Sequence, residues 1–156
     1  IEPPEGWQLY YPPERVVGPI TRVIRFAHPG DEEEGIAVTF FEARDETIDV
    51  EPHINEWIVR EGARRYPDVE FLGSRYLGGE LAAGASFTRK TDKGVSHACQ
   101  WWRVLRDDGR WNFELRSAPD ASVIAPELIA ALDTVTWVDA PPSFRCSPAL
   151  SSDINC

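Results

Sequence analysis

The chain has 156 residues, 42% of them hydrophobic, and its 26 acidic and 16 basic residues give a formal net charge of −10 at pH 7. This length fits one domain, and the composition is that of a globular protein rather than a disordered one. The basic residues are scattered as singles and pairs, whereas binding to nucleic acid or to an anionic membrane surface needs them concentrated. These partners are therefore excluded, as is membrane insertion, because no apolar run approaches the length of a span.

The chain opens at Ile1 rather than at Met, as it would after removal of a signal peptide or after trimming. Cys99 lies in a predicted strand, where we expect it to behave as a small buried hydrophobe. Cys146 and Cys156 lie near the end and either close a short disulfide loop or remain free thiols. A disulfide would suit an oxidising compartment, so an extracytoplasmic location is slightly favoured over a cytoplasmic one.

The first third of the chain predicts three strands separated by turns. Prolines flank residues 6–11, which are predicted to form a short edge strand. Residues 21–26 and 36–42 read as the next two strands, the latter with its apolar side chains alternating between faces. The acidic run 31–34 between them is expected to be a solvated hairpin tip.

A helix is predicted over residues 50–66, with Asp49 as its cap and Pro67 as its stop. Its apolar residues recur at helical spacing and form one stripe: Val50, Ile54, Trp57 and Ile58. Residues 69–77 and 81–89 then form a hairpin around Gly78-Gly79, and residues 95–105 and 111–117 form another.

The second hairpin contains an Asp-Gly pair, which is a signal for a two-residue type I′ turn. Placing that turn at Asp108-Gly109 fixes the strand register by counting. On one, apolar face the register pairs Val104 with Phe113 and Trp102 with Leu115. On the other face it pairs Arg103 with Glu114, as an ion pair, and Trp101 with Arg116, as a cation–π contact.

A closing helix is predicted over residues 126–133, approached by a cap at Asp120 or Ser122, with a short returning strand at 135–138. Residues 1–139 are thus expected to form one α+β domain with a central antiparallel sheet. Residues 140–156, which are rich in Pro and Ser, are expected to be a tail.

The sequence carries no catalytic or metal-binding signature, and no cofactor is expected. His28, His53 and His97 lie at no metal-binding spacing with one another or with a cysteine. His97 and Cys99 share a strand face, but such neighbours are usually too far apart for a Cys–His nucleophile pair.

Trp101 is the main candidate for a binding residue, together with Arg103 and Arg116 on the same predicted face. Exposed Trp and Arg are common anchors at binding surfaces. The alternative is that the first helix or the tail covers this face. Tyr10 and Tyr11, beside Trp7, form a second aromatic candidate.

The order of these elements resembles the PsbP-like superfamily, which includes extrinsic photosystem II subunits, a small Ran-GTPase-binding protein and bacterial lipoproteins of the LpqN and DcrB type. The resemblance covers about residues 4–138 and is closest in style to the bacterial lipoproteins. It is carried by the element order, Gly6-Trp7, residues 78–85 and the ending 128–137. It implies an α/β/α sandwich with two main helices, and a non-enzymatic role in binding a protein or a small ligand.

We therefore expect a non-catalytic binding or accessory domain that holds a protein partner or small ligand. Two alternatives remain open. One is a dedicated chaperone or immunity-type partner of a single protein, for which strong acidity would suit a basic client. The other is a small enzyme of unidentified chemistry.

Overall fold

The structure is a computed structural model and describes residues 1–10, 20–41 and 49–138. These residues contribute one seven-stranded antiparallel sheet with the strand order β1-β2-β3-β7-β6-β5-β4. The strands are β1 (Gln8–Tyr10), β2 (Ile20–His28), β3 (Asp31–Phe41), β4 (Glu70–Leu77), β5 (Glu80–Lys90), β6 (Ser96–Arg106) and β7 (Gly109–Arg116). Among the described strands, β1 and β4 are the two edges of the sheet, so the predicted short edge strand is confirmed over Gln8–Tyr10.

The helices lie on opposite faces of this sheet. The predicted first helix forms as α1 (Val50–Trp57), a π-helical turn (Ile58–Gly62) and α2 (Ala63–Arg65). The closing helix is α3 (Pro126–Ala131), followed by a 3₁₀ turn (Leu132–Thr134). The predicted α+β class and α/β/α sandwich are confirmed. None of the described helices is long and apolar enough to cross a bilayer.

The larger core lies between the sheet and α3, on what we call the α3 face. Trp102, Phe113 and Leu128 meet there, with Leu128 fully buried. On the opposite face, which we call the α1 face, Val50 and Ile54 of α1 pack on Ala83 and Ala85 of β5. The small side chains of β5 let the helix approach the sheet closely, and the apolar stripe predicted for the helix is confirmed.

The β6–β7 hairpin is offset by two residues from the predicted register. Asp107 and Asp108 form the turn, and Arg106 pairs with Gly109. Gly109 is required for another reason: with φ at +143°, a Cβ there would lie 2.4 Å from the carbonyl oxygen of Phe41 in β3. The observed pairs include Trp102 with Phe113, Val104 with Trp111, Arg103 with Asn112 and Trp101 with Glu114. The individual partners predicted for Trp101, Arg103 and Arg116 are therefore wrong. The predicted sorting of side chains to two faces is right, because a shift of two residues keeps each side chain on its face.

Smaller differences follow from tertiary contacts. The acidic run 31–34 belongs to β3 rather than to a hairpin tip. Residues 135–138 form no strand; instead the Trp137 indole Nε1 donates to the Leu77 carbonyl at 2.8 Å. The N-cap position of α3 is Ala125 rather than Asp120 or Ser122, and neither Ala125 nor Asp49, at the start of α1, makes a side-chain capping hydrogen bond. Tyr11, Cys146, Cys156 and the proposed tail lie outside the described residues.

Candidate functional site

Strand register brings three of the sequence-predicted binding residues, Trp101, Arg103 and Arg116, to the α1 face. One row of paired residues crosses five strands: Tyr10 in β1, Arg25 in β2, Ala37 in β3, Glu114 in β7 and Trp101 in β6. Arg103 and Arg116 belong to the neighbouring rows of the same face. Positions 10 and 101 are four strands apart, or about 19 Å at the usual strand spacing. They therefore do not form one cluster.

Trp101 is partly buried beneath α1, so it is not the exposed anchor that the sequence suggested. Its ring contacts Trp57 of the helix, with 4.4 Å between centroids and an angle of 64° between planes. Both rings pack against the core formed by Val50, Ile54, Ala83 and Ala85. The structure instead shows the alternative named for this face: the first helix covers it. The helical stripe containing Trp57 was the sequence signal for this cover.

Arg116 is buried and neutralised by two carboxylates. It contacts Glu33 of β3, and its second terminal nitrogen donates to Glu114 at 2.9 Å. Burial opposes the charge of Arg116, but the hydrogen bond and negative charge of Glu114, with the charge of Glu33, outweigh it and raise the pKa of Arg116. Arg89 also bonds Glu114, at 3.2 Å. The positive charges of Arg89 and Arg116 are therefore balanced by the carboxylates of Glu33 and Glu114.

Arg103 is buried without such compensation. It is 5% exposed, its guanidinium lies 4.2 Å from the centroid of the Trp101 ring, and its Nε donates to Asn112 Oδ1 at 2.9 Å. Among the described residues no carboxylate forms an ion pair with it. Burial lowers the pKa of Arg103 to about 9, as does repulsion by Arg110, whereas Glu61 raises it. At neutral pH the guanidinium still carries its charge.

His97 and Cys99 do not form an activated pair. The His97 ring Nδ1 lies 2.9 Å from the Ser117 carbonyl oxygen, and the Cys99 thiol points to the His97 backbone carbonyl at 3.7 Å. Burial, followed by the charge of Glu114, raises the pKa of Cys99 to about 11. A nucleophilic cysteine needs the opposite shift. Both side chains are buried in the sheet, and each is directed to a backbone carbonyl.

An apolar surface along the edge strand β4 was not predicted from the sequence. Its exposed members are Phe71, Leu72 and Tyr76 of β4 and Leu81 of β5, between 39% and 70% exposed. Tyr76 pairs with Leu81 in the β4–β5 ladder, and a register shift between Phe71 and Gly73 brings Leu72 into the edge. The adjacent apolar residues Phe71 and Leu72 break the alternation of a regular strand, and this was the available signal. Within the described residues, β4 has only β5 as a strand neighbour.

No group of three His, Cys, Asp or Glu side chains within residues 1–10, 20–41 and 49–138 is arranged to hold a metal ion. A search of solved structures finds the solution structure of cyanobacterial PsbP (CyanoP) from Synechocystis sp. PCC 6803, with a TM-score of 0.52 and 13% sequence identity. The match covers 85% of this chain and 79% of that chain. No family model matches, and no curated protein matches. The chain therefore has a PsbP-like fold, while the closer likeness to lipoproteins of the LpqN and DcrB type stays a prediction.

Proposed function

We propose that this chain is a non-catalytic accessory domain that binds another protein along the edge of β4. The observation that carries the proposal is the eight-residue edge strand bordered by exposed Phe71, Leu72, Tyr76 and Leu81. An open edge presents backbone N–H and C=O groups that a further strand can pair with, and apolar side chains beside it supply hydrophobic contact.

Among the described residues, no further strand pairs with β4, and the strand has little of the usual protection of an exposed edge. Natural sheets keep edge strands very short, place Lys or Pro on them or cover them with another element. β4 has eight residues, with neither Lys nor Pro among them. Its irregularity at Gly73, where φ is +88°, and its two charged residues, Glu70 and Arg75, are the features of the strand that discourage pairing. An edge left open in this way favours a role in pairing with another chain.

The chemistry of the surface indicates the kind of partner. Tyr76 and Leu81 point to the α1 face, beside the N-terminal end of the helix, where Glu51 accepts a hydrogen bond from Ser74. Glu70 is exposed at the start of the strand. An extended segment with alternating apolar side chains and flanking basic residues would match both the apolar surface and these carboxylates.

Substitution of one exposed residue tests the proposal without disturbing the fold. Tyr76→Lys puts a charge at the centre of the surface, and Val123→Lys is the matched control, since Val123 is 72% exposed and precedes α3. Both variants should melt close to the wild type, because exposed substitutions usually change stability by about 0.5 kcal/mol or less.

Tagged wild type and both variants are expressed in the source organism, and the captured proteins are quantified by mass spectrometry. We expect a partner whose recovery falls at least about tenfold with Tyr76→Lys, equivalent to about 1.4 kcal/mol, and is unchanged with Val123→Lys. Equal recovery of every captured protein by all three forms would rule out β4 as the binding edge.

A further inference from the structure

We propose that Arg103, Asn112 and Trp101 form a binding site for a small oxyanion, a carboxylate or a phosphate, on the α1 face. This site is separate from the β4 edge, because Arg103 lies on β6 and Asn112 on β7, in the middle of the sheet. The chemistry required of the ligand follows from the charge that the site leaves unbalanced.

A buried cation is expected to have an anionic partner, because removing a charge from water is costly unless another charge and hydrogen bonds compensate for it. Arg116, on the same face and equally buried, follows this rule with Glu33 and Glu114. Arg103 has instead a neutral amide and an indole ring. The contrast between the two buried arginines marks Arg103 as the one with which no carboxylate of the described residues forms an ion pair.

The neighbouring side chains hold the guanidinium in place for a ligand. The Trp101 ring supports one side of it, and Asn112 fixes its Nε, which leaves the two terminal nitrogens as a fork. With its oxygen engaged by Arg103, the Asn112 amide nitrogen is a further donor. Planar guanidinium forks and amide donors match the oxygens of carboxylate and phosphate.

The wider face supports an anionic ligand although the chain as a whole is acidic. Strand register places five arginines there: Arg25, Arg89, Arg103, Arg110 and Arg116. Glu33 and Glu114 bond Arg116, and Glu114 also bonds Arg89, whereas Glu61 acts on Arg103 through its charge without forming an ion pair with it. The positive charge of the guanidinium groups on this face would attract an anion to Arg103.

Three variants test the site. Asn112→Asp supplies a carboxylate beside Arg103 from within the chain and should compete with the ligand. Arg103→Met keeps an apolar side chain over Trp101 but removes the charge. Arg89→Met is the control, because it removes a cation of the same face that is 40% exposed and already paired with Glu114.

Binding of inorganic phosphate and of a short Asp-containing peptide is measured by calorimetry and by the melting temperature, at constant ionic strength. We expect the wild type and Arg89→Met to bind at least one of the two probes, and binding to weaken by roughly 10- to 100-fold in Arg103→Met and in Asn112→Asp. Asn112→Asp should also melt higher than the wild type without any added anion. Preference for phosphate would indicate a free oxyanion as ligand, and preference for the peptide would indicate a carboxylate of a partner.

Failure of the wild type to bind either probe would overturn the proposal. Wild-type affinity in Arg103→Met and Asn112→Asp would overturn it as well, because binding would then not depend on the uncompensated guanidinium. Tyr76→Lys is expected to leave anion binding unchanged, so this proposal and the proposed function fail independently.

Discussion

The packing of Trp102 on Gly84 predicts a specific intolerance to one added methyl group. Gly84 lies in β5, opposite Trp102 in the β5–β6 ladder. A Cβ at position 84 would lie 2.6 Å from Cε3 of the indole, whereas ordinary contacts begin at 3.4 Å. The overlap of 0.8 Å, the difference of these two distances, is with the body of a ring rather than with a flexible chain end. We therefore expect Gly84→Ala to destabilise the protein.

The ring cannot move aside without losing its contacts. Its Nε1 donates to Gln100 Oε1 at 3.2 Å, the Arg75 guanidinium lies 5.5 Å from its centroid, and Phe113 belongs to the same core. Overpacking of this kind costs about 1–3 kcal/mol. Replacing a strand glycine offsets about 0.5–1 kcal/mol by reducing the entropy of the unfolded chain. The middle of these two ranges gives a net loss of about 1 kcal/mol, which corresponds to a melting temperature lower by about 2–4 °C in a protein of this size.

Thermal unfolding followed by circular dichroism measures this change, with Gly30→Ala as the matched control. A Cβ at position 30 would meet its nearest atom, His28 Nδ1, at an ordinary 3.6 Å. We expect the control to melt within a degree or two of the wild type. If Gly84→Ala melts as high as Gly30→Ala, the reasoning from close packing of Trp102 is refuted.

Three further changes follow from burial and charge. Leu128→Ala, in the fully buried stripe of α3, should lower the free energy of unfolding by about 2–5 kcal/mol in urea titrations, while the exposed Val123→Ala should change it by less than about 0.5 kcal/mol. Glu114→Gln weakens the charge compensation of the buried Arg116 guanidinium and should lower the free energy of unfolding by about 1–3 kcal/mol. Glu33→Gln, at a side chain 52% exposed, should lower it by less than about 1 kcal/mol. Equal losses in the two variants would contradict this ranking. The Cys99 peptide should alkylate far more slowly at pH 8 in the folded protein than in the unfolded one. The pKa of this thiol is 9.0 in the unfolded chain and about 11 in the folded protein. The free energy of unfolding should therefore fall as the pH rises from 9 to about 11, because the folded state keeps a proton that the unfolded chain releases.

Local patterns predicted the elements and their faces, because those depend on side-chain period and on turn residues. The offset in the β6–β7 hairpin shows the limit of this reasoning. From the sequence, a glycine after two aspartates can be either part of a type I′ turn or the first residue of the next strand. The structure shows that Gly109 is in the strand, where the Phe41 carbonyl oxygen lies too close for a side chain. Side-chain faces survive a two-residue shift, but the identity of each ion pair does not.

The candidate site depended on strand order, which local patterns do not contain. β7 pairs with β3 as well as with β6, and this arrangement leaves β4 at the edge. The exposure of Tyr76 follows from that placement and was not readable from residues 69–77 alone. The cover of Trp101 by Trp57 likewise depends on α1 lying over β5 and β6. The unbalanced charge of Arg103 likewise depends on strand register, which pairs it with the neutral Asn112 of β7.

Site-specific photocross-linking in cells of the source organism addresses the β4 surface directly. A benzophenone amino acid replaces Tyr76 in one form of the protein and Val123 in another, two positions that are 70% and 72% exposed. We expect position 76 to cross-link to a discrete protein and position 123 not to do so. The absence of any cross-link from position 76, or the same products from both positions, would contradict binding at this edge.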